Sequence, residues 1–201
     1  AGNVSFYNES KDKPIPPSPI ISCLGRIQDV KKAITMSFKK ENSSIILIGK
    51  RKNELGGSIF YDLHNELGKN VPTPDLEEVK NQIYGITDCI EKSLVYACHD
   101  ISEGGVATSL CEMAFGNSIG CSVKIESELS TEKILFSETG GFILEAKNEN
   151  IESIHSIFNQ YKLETYVIGV TGGNKIKLNN TIDITVDDAK KSWENGLRNK
   201  L

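Results

Sequence analysis

The sequence predicts an α/β (α+β) fold, a layered α/β/α sandwich around a mixed sheet. Three observations predict it. Apolar runs of strand length interleave with helical stripes along the chain. One run, Ile45 to Gly49, is apolar without alternation and ends in glycine, as a buried strand does. Near the end, two short alternating runs flank the turn dipeptide Asn179-Asn180, which makes a hairpin. Helices between strands plus a hairpin favour a mixed sheet over a purely parallel one.

Taken in order, residues 1–19 read as irregular. Pro14, Pro16, Pro17 and Pro19 forbid a helix and suggest an extended linker, so a domain boundary is expected there, with one domain over 20–201. Ile20 to Ile27 reads as a strand and Ser58 to Leu67 as a short helix. Gly68, Pro72 and Pro74 then break the chain. Asp75 opens a helix on which Leu76, Val79, Ile83, Ile86 and Ile90 recur at three- and four-residue steps, with acidic residues in its first turn. Leu94 to Cys98 is a buried strand. Val106, Leu110, Met113 and Ala114 give a second helical stripe that ends near Gly116. Strands follow at Cys121 to Ile125 and Phe142 to Ala146, a helix at Ile151 to Tyr161, and a strand at Tyr166 to Val170. The hairpin pairs Lys175 to Leu178 with Ile182 to Val186, and Asp187 is expected to cap a last helix toward Leu197.

Composition narrows the classes. The chain has 201 residues, 38% hydrophobic and 25% charged, with net charge −4. That acidity argues against a non-specific grip on nucleic acid, which takes a basic face. No apolar run approaches the ~20 residues of a membrane span. Ala1-Gly2-Asn3 lacks the basic and apolar regions of a signal peptide. The first residue is not Met, which suits a processed chain or a piece of a longer one. Five cysteines, an odd count without C-x-x-C, read as reduced thiols packed as small hydrophobes. This implies a reducing compartment, the cytoplasm.

Two motifs could carry chemistry. His99-Asp100-Ile101-Ser102-Glu103-Gly104-Gly105 lies between a buried strand and a helix. A helix start offers free backbone N–H groups and a positive dipole end, and glycines let a ligand or a neighbouring backbone come close. The structural alternative is that Asp100 or Ser102 is an N-cap, and Asp100 with Glu103 has capping-box spacing. His99 is either an acid–base group or a hydrogen-bonded anchor of the turn. The second motif is Gly2-Asn3-Val4-Ser5. Glycine can admit a phosphate oxygen, asparagine can give an oxygen to Mg²⁺, and serine can bond an anion.

The pairs Gly56-Gly57, Gly140-Gly141 and Gly172-Gly173 fit neither the P-loop nor G-x-G-x-x-G, so turns are their default reading. Ser137-Glu138-Thr139-Gly140-Gly141 reads as a tight turn before a strand. His64 and His155 stand alone, and no zinc spacing or G-x-S-x-G elbow appears. Lys39, Lys40, Lys50, Arg51 and Lys52 read as solvated loop charges.

As a set, GNVSFYNE, PPSPIISCLGRIQD, ELGGS, ACHDISEGGVATSLCEMAF, LFSE, IGVTGG and WENGL resemble, in that order, the phosphoribosylformylglycinamidine synthase family. The resemblance runs from Gly2 to the C-terminus, and HDISEGG with the helix after it is its most specific part. Related segments occur in the wider superfamily of aminoimidazole ribonucleotide (AIR) synthetase. The resemblance implies the tail of an ATP-handling domain in residues 1–19, followed by an AIR synthetase C-terminal-like domain. It implies that formylglycinamide ribonucleotide, ATP and glutamine-derived ammonia become the amidine, ADP and phosphate in de novo purine biosynthesis.

By resemblance Gly2 contacts ATP, Asn3 binds Mg²⁺ and Ser5 contacts the substrate. The catalytic histidine and most metal carboxylates of the family belong to an upstream part of the polypeptide, and no residue here matches them. This chain alone is therefore expected to be inactive. A separate glutaminase subunit and a small accessory subunit are the implied partners. Two departures stand out: Thr139-Gly140-Gly141, where the family places an arginine soon after Ser-Glu, and Ser22-Cys23, where glycine and a bulkier apolar residue are usual. The alternative reading is a non-catalytic scaffold or subunit-docking domain of the same superfamily.

Overall fold

The computed structural model describes residues 8–15 and 22–196 and divides into two compact units, 1–30 and 31–201. In the first unit, β1 (Asn8–Ser10) and β2 (Lys13–Ile15) pair antiparallel, Glu9 opposite Pro14. Lys11 and Asp12 make the turn with φ of 51° and 58°. The prolines thus exclude a helix but not a ribbon, because proline is tolerated on an edge and a two-stranded ribbon is all edge. The strand expected over Ile20 to Ile27 does not form across residues 22–27, where Gly25 interrupts the apolar run. Its first two residues, and the boundary expected at 19–20, lie outside the described residues.

In the second unit one seven-stranded sheet carries the fold. Its strands are β3 (Ser44–Ile48), β4 (Val95–Asp100), β5 (Cys121–Val123), β6 (Phe142–Ala146), β7 (Thr165–Thr171), β8 (Lys175–Leu178) and β9 (Ile182–Thr185). Their order is β4-β6-β3-β7-β5-β8-β9. All neighbours run antiparallel except β5 and β8, which are parallel, so the sheet is mixed as expected. The helices are α1 (Ile59–Leu63), α2 (Leu76–Glu91), α3 (Gly105–Phe115), α4 (Thr131–Phe136), α5 (Ile151–Gln160) and α6 (Val186–Asn195).

The unbroken apolar run of β3 is the reason for three layers. Ile45 and Leu47 enter one core with Leu110 and Met113 of α3, Leu135 of α4 and Val186 of α6. Ile46 and Ile48 enter the other with Ile86 and Cys89 of α2 and Ile154 and Phe158 of α5. Successive side chains of a strand point to opposite faces, so only a strand apolar at every position can serve both. Each fully buried Ile, Leu or Phe contributes about 1.5–3 kcal/mol. Glu145 of β6 is buried among these groups with no exposed surface, and its carboxylate accepts the backbone N–H of Lys39 (2.7 Å) and Lys40 (2.9 Å). It thereby fastens the segment that leads into β3.

The hairpin between β8 and β9 turns through residues 179–181, with Asn179 (φ 46°) and Asn180 (φ 56°) both left-handed, a conformation asparagine tolerates. Two elements differ from expectation. The last helix is capped by Thr185, whose hydroxyl accepts from Asp188 N–H at 3.1 Å, so Asp187 lies inside the first turn. There its charge meets the positive helix end without being the cap. α4 was not anticipated, since six residues are too few to show a helical stripe.

All five cysteines are free. Burial raises the thiols of Cys89, Cys98 and Cys121 to about 12 and that of Cys111 to about 11, from 9.0. At neutral pH these four are thiols, not thiolates, and unreactive. In the unfolded chain they ionise near pH 9, whereas the fold keeps them neutral. The stability this contributes is complete below pH 9 and is lost as pH rises from there toward 12. A native-state thiol titration with a disulfide reagent at pH 8 should therefore show one fast group, the exposed Cys23, and five after denaturation. Urea midpoints should fall progressively above pH 9.

Candidate functional site

The HDISEGG segment ends β4 and starts α3. Gly104 and Gly105 take φ of +78° and +67°, and a Cβ on Gly105 would stand 2.7 Å from the carbonyl oxygen of Leu135 and 2.8 Å from that of Ser137. Glycine is required there both for the left-handed backbone and for the close approach of the 135–137 chain. The two positive φ values delay the helix, so Gly104 is the N-cap and has no side-chain cap of its own. Neither Asp100 nor Ser102 caps α3, and the expected Asp100–Glu103 capping box does not form.

The missing acceptor comes from another loop. Glu138 Oε1 accepts Gly104 N–H at 3.0 Å and Ile59 N–H at 2.9 Å. One carboxylate therefore answers the starts of α3 and α1. The turn itself is tied to the sheet, Ile101 N–H donating to Gly141 O at 2.9 Å. The Ser109 hydroxyl donates to the Asp100 carbonyl at 3.0 Å. The backbone N–H at Gly104 that could have met an external anion is thus given to an internal one.

Glu138 is aimed by Arg51. Sequence reasoning placed Arg51 among solvated charges, but it is only 6% exposed. Its Nη1 donates to Thr139 O at 2.7 Å and its Nη2 to Gly140 O at 2.8 Å. Glu54 completes the cluster: its Oε2 accepts the Thr139 hydroxyl at 2.8 Å, and its backbone carbonyl accepts the Ser137 hydroxyl at 3.0 Å. Burial lowers the guanidinium to about 10, against the raising fields of Glu54 and Glu78, so it keeps its charge at neutral pH. Gly141 (φ 150°) gives the room, since a Cβ there would fall 2.4 Å from Ile48 O and 3.1 Å from Arg51 Nη2. The Thr-Gly-Gly departure noted in the sequence is therefore where this arginine enters. The available signal was an arginine two residues past the glycine that ends a buried strand.

His99 is nine-tenths buried. Its Nε2 lies 3.0 Å from Glu112 Oε2 on α3, and its Nδ1 lies 3.3 Å from Asp100 Oδ1 without hydrogen-bonding geometry. The ring thus joins the end of β4 to the middle of α3, as an anchor would. Asp100, Ser102 and Glu103 are exposed and form the rim of the turn, while Gly104 and Gly105 are buried under it. Gly2, Asn3 and Ser5 lie outside the described residues. Among the described residues no group of three His, Cys, Asp or Glu could hold a metal ion.

Comparison with known proteins finds relatives of this unit. Residues 40–179 match the model of the AIR synthase related protein, C-terminal domain, and the chain belongs to that family. Over its whole length it is 34% identical to phosphoribosylformylglycinamidine synthase subunit PurL of Methanothrix thermoacetophila, of which it spans 27%. In structure it is similar to Thermotoga maritima PurL complexed with FGAR, with TM-score 0.69 and 17% identity over 80% of this chain and 30% of that one. PurL of the same organism complexed with ATP has TM-score 0.63 and 16% identity over 80% and 27%. The PurLQS structure, also from Thermotoga maritima, has TM-score 0.63 and 16% identity over 78% and 27%. At such identities the structural likeness shows the fold. The resemblance to the C-terminal portion of PurL and the α/β/α fold with a mixed sheet both stand. The chain spans about a quarter of the length of the curated relatives it matches.

Replacing Glu138 by Ala should leave the N–H groups of Gly104 and Ile59 without their acceptor, while Ser58 still caps α1, and lower the unfolding free energy by about 1–3 kcal/mol, read by urea denaturation. Glu138→Gln keeps an acceptor and should lose less.

Proposed function

We propose that this chain is the C-terminal part of an ATP-dependent phosphoribosylformylglycinamidine synthase, preceded by an ATP-handling domain whose tail is residues 1–19. The observation that carries the reading is the match over the entire chain to relatives named PurL, of which it spans 27–28%. The solved PurL complexes with FGAR and ATP support the substrate class. In the proposed reaction ATP phosphorylates the amide oxygen of formylglycinamide ribonucleotide. Ammonia derived from glutamine then attacks that carbon and phosphate leaves, giving the amidine, ADP and phosphate. Mg²⁺ would offset the phosphate charge when bound.

Within this chain, Gly2 would contact ATP, Asn3 would offer one oxygen to Mg²⁺ and Ser5 would touch the substrate. By the family resemblance, the remaining metal ligands and the catalytic histidine would belong to the upstream part of the polypeptide. The role proposed for the described residues is a wall. Arg51 and Glu138 hold the 100–105 turn, and its exposed Asp100, Ser102 and Glu103 face outward. PurLQS supports proposing a glutaminase subunit and a small accessory subunit as partners. Among the described residues no helix is long and apolar enough to cross a membrane, and buried thiols suit the proposed cytoplasmic location.

One observation favours the scaffold alternative. Arg51, Glu138 and His99, the best-held polar groups of the site, all engage partners within the chain. Capture of a glutaminase partner without any nucleotide binding by the longer polypeptide would favour it.

The test is formylglycinamide ribonucleotide-dependent ATP hydrolysis with ammonium chloride as nitrogen donor. The polypeptide that includes the upstream part should be active and this chain alone inactive. Asn3→Ala in the longer form should reduce turnover at least about tenfold if it holds the metal. Activity of this chain alone, or a longer form with no such activity, would overturn the proposal.

A further inference from the structure

The chain between Gly56 and Asn70 is an excursion closed at its base. Gly56 N–H donates to Asn70 O and Gly57 N–H to Leu67 O, both at 2.7 Å. α1 lies inside it, and its start is fixed by the Ser58 hydroxyl, which accepts Tyr61 N–H at 3.3 Å. Phe60 seats the helix by stacking on Phe136 of α4, with ring centroids 4.8 Å apart. The excursion is therefore preformed, and a partner that docks on it does not first have to order it.

What it presents outward is apolar. No residue of α1 is buried, although an amphipathic helix normally turns its apolar face to its own core. Ile59 and Leu63 share one helix face at four-residue spacing, and both are exposed. Leu63 is 76% exposed and Leu67 77%. Leu67 is joined to Gly57 through its carbonyl, and Val71 Cγ1 lies 3.8 Å from where a Cβ on Gly57 would stand, so the four residues gather around one point. Scattered apolar side chains are ordinary on a surface, whereas a gathered patch marks an interaction site. Asp62 and Glu66 directly precede Leu63 and Leu67, are exposed, and belong to no ion pair among the described residues. Lys69 is the one lysine of the excursion.

We propose that this patch is a docking surface for the part of the polypeptide outside this chain. The proposal rests on the reading of the chain as one piece of a longer synthase, and adds to it the place of contact. Two observations choose the occupant. The chain spans 27–28% of the length of its curated PurL relatives, which leaves most of such a polypeptide outside it. The patch also adjoins the proposed wall, because one Glu138 oxygen accepts both Ile59 N–H at the start of the patch and Gly104 N–H under the 100–105 rim. A second copy of this chain is the poorer occupant. In a two-fold contact the same surface meets itself, which sets Asp62 and Glu66 against their own counterparts. The complementary surface is apolar, with basic residues at its margin.

Carbene footprinting of the longer polypeptide and of the 201-residue chain tests this, since it labels exposed side chains without any substitution. Labelling of Leu63 and Leu67 should be at least about tenfold lower in the longer polypeptide, purified without other subunits. That protection should hold over about a hundredfold range of protein concentration, because an intramolecular contact does not depend on it. Leu63→Asp/Leu67→Asp in the longer polypeptide should return the labelling of Ile59 and Val71 to its level in the chain alone. Both leucines are exposed, so the same pair should leave the melting temperature of the 201-residue chain unchanged. Equal labelling of Leu63 and Leu67 in the two proteins would overturn the proposal. So would protection that grows with concentration, which marks a second copy, or protection that needs an added subunit. Formylglycinamide ribonucleotide-dependent ATP hydrolysis by the same preparation separates the two claims. An active polypeptide with both leucines fully labelled sinks this proposal alone, and a protected but inactive one sinks the proposed reaction alone.

Discussion

Arg51 holding the 137–141 turn is the contact on which the rest of the site depends. The guanidinium is taken out of water, which is unfavourable for a charge unless it is fully partnered. Backbone carbonyls of Thr139 and Gly140 supply two partners, and Glu54 supplies a counter-charge that also accepts the Thr139 hydroxyl. This fixes the backbone on either side of Glu138. Only with that backbone fixed can a single carboxylate oxygen reach Gly104 N–H and Ile59 N–H together. The start of α3, the start of α1 and the exposed rim of the 100–105 turn then follow from one residue at the end of β3.

The sheet explains why these parts meet. β3 is central, with β6 on one side and β7 on the other, and it is buried on both faces. Its C-terminal end delivers Arg51, the parallel-running β4 delivers His99 and the glycine turn, and the loop before β6 delivers Glu138. Chain reversals in an antiparallel neighbourhood collect loops distant in sequence at one edge, here with separations of 34 and 79 residues across the Glu138 contacts.

Periodic segments were legible in the sequence. Leu76, Val79, Ile83, Ile86 and Ile90 mark α2, IILIG marks β3, and Asn179-Asn180 marks the final hairpin, each by local pattern alone. The family was legible as well, from motifs spread over the chain. What local pattern could not show was contact between distant loops. The Asp100–Glu103 spacing looked like a cap, yet the acceptor came from Glu138, because two left-handed glycines moved the helix start beyond reach of Asp100. Arg51 looked solvated because its neighbours Lys50 and Lys52 are charged, while its burial depends on a glycine pair some ninety positions away. Ile20 to Ile27 had strand composition, but β propensity is realised only where a neighbouring strand or face accepts it.

The central claim is that Arg51 acts at a distance through the turn it holds. Amide hydrogen exchange of Arg51→Met against the parent chain measures it directly. The account predicts that Gly104 N–H and Ile59 N–H lose protection together, although neither touches Arg51, while amides in the middle of β3 and β6 lose much less. Unchanged protection at both amides, or loss at one alone, would contradict it.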